Sequence, residues 1–302
     1  MAVRKVPTPK YDYEVNRIMK VYQQARQAIL TELLRFVDAD LNDNATRISL
    51  ELSLLRQIDY ILGQANKEIQ RTVEELILES FRNGQGRLLY AVGEYSSLTH
   101  ATEGVAFSML AKQTVDAMVA DTFTDLLTAT EHTSKKLKRI VRQTVAEQMR
   151  LGIIQQGGRR FMSKAITEKL TKQGFTKRID DEGFVGIIDK AGRKWKLDTY
   201  TKMVVRTKLT QAHSEGMKTQ GIESNIDLAV ISSHGAKDSC AKYEGLVVSM
   251  NGLTKGYTTV EELRKSNKIF HPNCEHTFYP IRSLDVLSPK EREIHKSKTN
   301  NI

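Results

Sequence analysis

Five prolines stand at positions 7, 9, 272, 280 and 289, leaving residues 10 to 271 without any. A proline inside a helix removes a backbone donor and clashes with the preceding turn, so this stretch is open to long uninterrupted helices. The apolar spacing fits that freedom. Val15, Ile18, Tyr22, Ala25, Ile29, Leu33 and Phe36 recur three or four residues apart and predict one buried stripe on a helix of about 25 residues. A second helix is expected after Asn44 or Thr46, either of which suits a cap. It runs through Ile48, Leu52, Leu55, Ile58, Leu62, Ile69, Val73 and Leu76, weakened locally by Gly63. The Gly- and Ser-richer stretch from Asn83 to Glu103 predicts a loop or a broken helix, and helical spacing resumes from Val105 to Ala129.

Charge adds a second constraint. The 302-residue chain nets +10, yet between Lys135 and Arg178 thirteen basic residues face only two acidic ones, Glu147 and Glu168. That segment nets +11 and the rest of the chain −1, so the excess belongs to one region rather than to the whole surface. On a helical wheel from Glu131 to Gln156, Lys135, Lys138, Arg139, Arg142 and Arg150 share an arc of about 120°. Leu137, Ile140, Val141, Thr144 and Leu151 fall opposite. Gly157 and Gly158 stop this helix, Phe161 to Gln173 forms a short one, and Gly174 follows it. The cationic face, with Arg159 and Arg160 at a helix start, suits nonspecific contact with a phosphate backbone. The same residues could instead solvate an exposed face or meet an acidic protein. Only Phe161 and Phe175 interleave the charges, which argues against base stacking on single strands.

Beyond Gly174 the pattern turns to strands. GFVGIIDKAGRKWKL predicts a hairpin around Lys190, Ala191 and Gly192. A helix is expected from about Asp198 to Gly221, with Tyr200, Met203, Val204, Leu209 and Ala212 in the core. Strands follow at Leu228 to Ser232 and Leu246 to Met250, then a polar excursion and a last segment from Phe270 to Ile281. The predicted fold class is α+β. An arm (1–10) and a long-helix region (11–173) precede a small α+β domain (174–281), and a polar tail (282–302) is expected to be extended or flexible.

The N-terminus MAVRKVPTPK lacks the apolar stretch of a signal peptide, and no run is apolar enough to span a membrane. The expectation is a soluble, unsecreted protein with no membrane span. No nucleophile elbow, Walker loop, HExxH or dinucleotide fingerprint occurs. Arg206-Thr207 with Glu291 and Glu293 could be matched to an ADP-ribosyltransferase, but glutamates in a polar tail would not be held rigidly against a ribose. A denser cluster comprises His234, Cys240, His271, Cys274 and His276. Zinc takes such ligands, and His234, Cys240, His271 and Cys274 are the candidate set, which would also admit a metal-dependent hydrolase. Two other readings stay open: buried thiols beside histidines that satisfy backbone groups, or a Cys240–Cys274 disulfide.

Five ordered blocks carry a family resemblance: GRKWKLDTYTKMVVRT from Gly192, Ala212 to Gly216, DLAVISSHGAKDSC at 227–240, YEGLVVS at 243–249, and HPNCEHTFYP at 271–280. Together they resemble the phage minor capsid protein 2 family, which is related in plan to Mu F-like head morphogenesis proteins. The resemblance covers about a third of the chain. In the 234–240 loop, Lys237-Asp238 stands where family members tend to have Arg-Pro. The resemblance implies a virion protein of a tailed bacteriophage, present in several copies in the head interior or at the portal vertex after assembly in the host cytoplasm. Portal and capsid proteins are its implied partners, head morphogenesis or DNA packaging and delivery its implied role, and no enzymatic reaction is implied. Nonspecific contact with double-stranded DNA is the separate expectation of the basic segment. Within the blocks, Gly192 is expected to make the turn, and Trp195 and Leu197 to pack strand on helix. Arg206 is expected to bond the carbonyls of the Cys240 or Cys274 loop, Gly245 to allow close approach, and Pro272 to help fold the last strand back.

Overall fold

The computed structural model describes residues 4, 6, 8–38, 44–155, 186–188 and 194–299. The long helices are α1 (Asp12–Asp38), α2 (Asn44–Ala91), α4 (Met109–Gln155) and α5 (Leu197–Glu223), with the short α3 at Leu98–Glu103. The strands are β1 (Gly186–Ile188), β2 (Lys194–Lys196), β3 (Leu228–Ile231), β4 (Val247–Ser249) and β5 (Phe278–Ile281). Two further helices, α6 (Val260–Lys265) and α7 (Pro289–Thr299), flank β5 in sequence. The fold class is α+β, as the sequence predicts. The predicted 161–173 helix, Gly174, the turn residue Gly192, and Arg159 and Arg160 lie outside the described residues.

The chain divides into two compact units that interleave along the sequence. One comprises residues 1–12, 74–122 and 203–302, the other 13–73 and 123–202. In the second unit every residue of the predicted α1 stripe is buried, from Val15 to Phe36. Ile29, Leu33 and Phe36 meet Leu54, Leu55, Ile58 and Leu62 of α2 and Leu137 and Val141 of α4 in one apolar cluster. The second stripe holds from Leu55 onward, whereas Ile48 and Leu52 are exposed, because the buried face there passes through Leu54 and Leu55. β1 and β2 pair antiparallel with Ile187 opposite Trp195, which confirms the hairpin.

In the first unit α2 continues through Asn83 and Gly84 to Ala91, where sequence predicts a break. The glycines serve a helix crossing instead: a Cβ on Gly84 would lie 2.0 Å from the carbonyl oxygen of His213 in α5. A Cβ on Gly216 of α5 would in turn lie 2.0 Å from that of Phe81 in α2. The main chain turns only after Ala91, and α3 begins at the cap Ser97, whose side chain accepts from the His100 amide. Of the predicted α5 core, Val204, Leu209 and Ala212 are buried, while Tyr200 and Met203 are only partly so.

The sheet has the order β4-β3-β5 and is antiparallel throughout. Alternate residues face opposite ways along a strand. Ala229 and Ile231 join Val248 and Phe278 in a core with Met217 of α5 and Leu88 of α2. Val230 joins Val247, Tyr279 and Ile281 on the other face, which Leu287 and its neighbours Leu284 and Val286 cover. The segment after Arg282, expected to be extended or flexible, is therefore a packed cover ending in an 11-residue helix. Its start is a capping box: Ser288 Oγ accepts from Glu291 N at 3.3 Å and Glu291 Oε2 from Ser288 N at 3.0 Å, with Pro289 in the first turn. Pro280, which offers no backbone donor, sits on the edge strand β5.

Candidate functional site

The Cys/His residues converge on one end of the sheet. Cys240 sits on a short 3-10 turn, Ser239–Tyr243, whose cap Asp238 accepts from the Cys240 amide at 3.0 Å. Cys274 follows the His271-Pro272-Asn273 turn, closed by Cys274 N donating to His271 O at 2.9 Å. Asn273 adopts φ +62°, a conformation Asn tolerates better than most residues. His276 lies two residues on and is almost fully buried. The result is a chain of close contacts. Cys240 Sγ lies 3.1 Å from His271 Nε2 and 3.9 Å from Cys274 Sγ, and Cys274 Sγ lies 3.4 Å from His276 Nδ1. Cys240 Sγ also approaches the Lys268 carbonyl at 3.5 Å. Both cysteines are free thiols.

Glu244 completes the cluster. It receives His276 Nε2 at 3.2 Å, the amides of His234 and Ala236 at 3.0 Å each, and the Ser233 hydroxyl. Burial works to raise its carboxyl pKa, but the Ala236 and His234 amides, the Ser233 hydroxyl and His276 outweigh burial and bring it down to about 2. Burial lowers the pKa of His276, opposed by the Glu244 hydrogen bond. Burial, then the adjacent Cys274 and Asp238, pushes the Cys240 thiol up to about 12.

Of the four predicted metal ligands, His271, Cys240 and Cys274 thus lie in one run of contacts. His234 packs its ring on that of His276, with centroids 4.2 Å apart. Ligand atoms lie within 4.8 Å of one another in three groups: Cys240, Cys274 and His276; His234, Glu244 and His276; Asp238, Cys240 and His271. His276 belongs to the cluster read from the sequence but not to the four candidate ligands, and Glu244 and Asp238 belong to neither. The legible signal for His276 was its i, i+2 relation to Cys274, which puts both side chains on one side of an extended segment. Glu244 carried no such signal, because it approaches from the β3–β4 connection.

Arg206 does not bond the cysteine loops. Its Nη2 donates to Asp12 Oδ1 at 2.8 Å, a charge-assisted bond that a neutral carbonyl cannot match. Its neighbour Thr207 makes the helix-to-loop contact, with Oγ1 accepting from the Asn273 amide at 3.3 Å. Gly245 fits the expected close approach: it has φ +78°, and a Cβ there would lie 2.8 Å from Ile294 Cγ2 of α7. Pro272 lies in the turn before Cys274, and Trp195 is central in β2. Beside the cluster a cavity of about 490 Å³ is lined by Asp12, Arg206, His213, His234, Cys274 and Thr277, among others. Glu291, considered above for a transferase, is engaged in capping α7.

The cationic face lies on α4. Lys135, Arg139 and Arg142 are exposed, while Leu137 and Val141 are buried. Lys138 is partly buried, and its Nζ binds both carboxylate oxygens of Asp59, at 2.7 and 2.9 Å. Arg150 lies on the same helix, in its last turns.

Comparison with known families sets the class of the protein as a capsid component of bacteriophage. The match is to the phage minor capsid protein 2 family over residues 8–301, and the chain belongs to that family. The match extends well beyond the C-terminal blocks and takes in the long helices and the basic segment. No curated protein and no solved structure matches the chain significantly. No helix among the described residues is long and apolar enough to cross a membrane.

Proposed function

We propose that this minor capsid protein is a non-enzymatic component of a tailed-phage head, held in several copies in the head interior or at the portal vertex. It is assembled there in the host cytoplasm and acts in head morphogenesis or DNA packaging and delivery. Family membership across nearly the whole chain supports the structural role. The cationic face of α4 serves as its nonspecific contact with double-stranded DNA. The observation that carries this contact is the segregation along one helix, with Lys135, Arg139 and Arg142 exposed and Leu137 and Val141 buried. Such a surface gains affinity by releasing counterions and reads no base.

The test is DNA binding by the full chain across a salt series. Each neutralised phosphate contributes a slope of roughly 0.9 in log K against log salt. Replacing Lys135, Lys138, Arg139 and Arg142 together by Gln is expected to shallow the slope by about 3. An unchanged slope refutes the DNA contact and leaves the face to an acidic protein. Cross-linking within intact particles tests the location, with products to portal protein expected and products to the outer shell surface alone counting against it.

A further inference from the structure

We propose that Cys240, Cys274, His271 and His276 form a structural zinc site that staples the 3-10 turn and the HPNC turn to the start of β5. The inference stands on geometry and is independent of the DNA reading. In a tetrahedral site with Zn–S near 2.3 Å and Zn–N near 2.0 to 2.1 Å, neighbouring ligand atoms lie about 3.3 to 3.8 Å apart. The sulfur–sulfur separation here is 3.9 Å, and the sulfur–nitrogen separations are 3.4 and 3.1 Å. A sulfur–sulfur distance of 3.9 Å suits two thiolates bridged by a metal and is nearly twice the roughly 2.05 Å of a disulfide. Ligand atoms of Cys240, Cys274 and His276 all lie within 4.8 Å of one another, which fixes three corners. His271, 3.1 Å from Cys240 Sγ, groups with Asp238 and Cys240 rather than with Cys274 and His276, and it takes the fourth corner by turning its ring toward the ion.

The surroundings prepare the ligands. His276 Nε2 is held by Glu244 at 3.2 Å, so the Nε2–H tautomer donates to the carboxylate and leaves the Nδ1 lone pair toward Cys274. This is the carboxylate–histidine–metal arrangement that orients a ligating imidazole. Glu244 is itself fixed by two amides, so its position does not depend on the metal. Two thiols lose their protons to solvent as one zinc ion binds, and the site closes electrically neutral with two imidazoles. Soft sulfur with imidazole in tetrahedral array selects zinc over magnesium or calcium. The strands that this end of the sheet joins are only three or four residues long, and a metal cross-link among three segments compensates for so small a sheet.

The experiment uses the full chain, expressed and purified under reducing conditions without chelator, then subjected to elemental analysis. About one zinc per chain is expected, with a thermal midpoint that falls on prolonged chelation and recovers with added zinc. Exchange with cobalt(II) is expected to give a thiolate-to-metal charge-transfer band and the intense visible bands of a tetrahedral complex. That readout needs only the wild-type chain, so it holds even where variants misfold. Cys274→Ser is expected to abolish the metal content, and His271→Ala to weaken affinity at least tenfold. A folded, reduced chain without stoichiometric zinc overturns the proposal, as does cobalt bound without the sulfur band. A Cys240–Cys274 disulfide in metal-free chains taken from particles overturns it equally. Wild-type affinity in His271→Ala removes His271 as the fourth ligand.

Discussion

Gly84 lies so close to the main chain of His213 that a Cβ on it would stand 2.0 Å from the His213 carbonyl oxygen. Gly216, one turn along the partner helix, stands in the same relation to Phe81. Two helices can approach to this distance only where neither carries a side chain. Ala raises helix propensity by about 1 kcal/mol over Gly, so in an open helix the substitution stabilises. Gly63 provides that control, since a Cβ there meets nothing within 4 Å. Gly63→Ala is expected to stabilise by about 0.5 to 1 kcal/mol. Gly84→Ala and Gly216→Ala must each push backbone from backbone and are expected to destabilise by about 3 kcal/mol. Chemical denaturation of the three variants checks the opposite signs, and a stabilising Gly84→Ala would refute the crossing.

His213 is buried at the same crossing, and its acidity gives a second test. Burial, followed by the charge of Arg87, lowers its pKa from 6.5 to about 3. Above the unfolded value both states are neutral and the residue contributes no pH dependence. Below it the unfolded chain takes up a proton that the folded chain refuses, so stability falls as the pH drops from 6.5 toward 3. The slope from one such group approaches about 1.4 kcal/mol per pH unit. His213→Gln is expected to remove that share of the slope between about pH 6.5 and about pH 5. Urea unfolding of both proteins across that window measures the difference, and parallel curves would show that His213 titrates freely in the folded state.

The helices were legible because their information is periodic: seven residues from Val15 to Phe36 specify one face, and all seven are buried. Where sequence reasoning failed, the missing information lay in a distant segment. Gly84 signals a break only until α5 is placed against it, after which it signals a crossing. The segment after Arg282 looked too polar to pack, but the outer face of the β4-β3-β5 sheet needs a cover, and Leu287 lies against it. The capping pair Ser288 and Glu291 was the local sign of α7. The polar excursion after Met250 likewise holds α6, announced by the Thr259 and Glu262 capping box. At the candidate site, the cysteines and histidines could be named from composition alone. Glu244 could not, because only the fold brings it to His276.

Asp59 offers a test of the cationic face that adds charge instead of removing it. Its carboxylate holds Lys138 in an ion pair whose lysine is 27% and whose aspartate is 56% exposed. A pair this accessible to water contributes little to stability, about 0 to 1 kcal/mol, so Asp59→Asn is expected to fold normally. It does change the charge that DNA meets: one anion leaves the face and the Lys138 ammonium becomes free for a phosphate. If the Lys135–Arg142 surface binds DNA, Asp59→Asn raises affinity at low salt and steepens the salt slope by up to roughly 0.9. Combining it with Lys138→Gln returns the slope to that of Lys138→Gln alone, since the released cation is the one removed. Titrations of the single and double variants against the same duplex decide the point. Equal slopes for Asp59→Asn and wild type would mean that Lys138 does not reach a phosphate even when free.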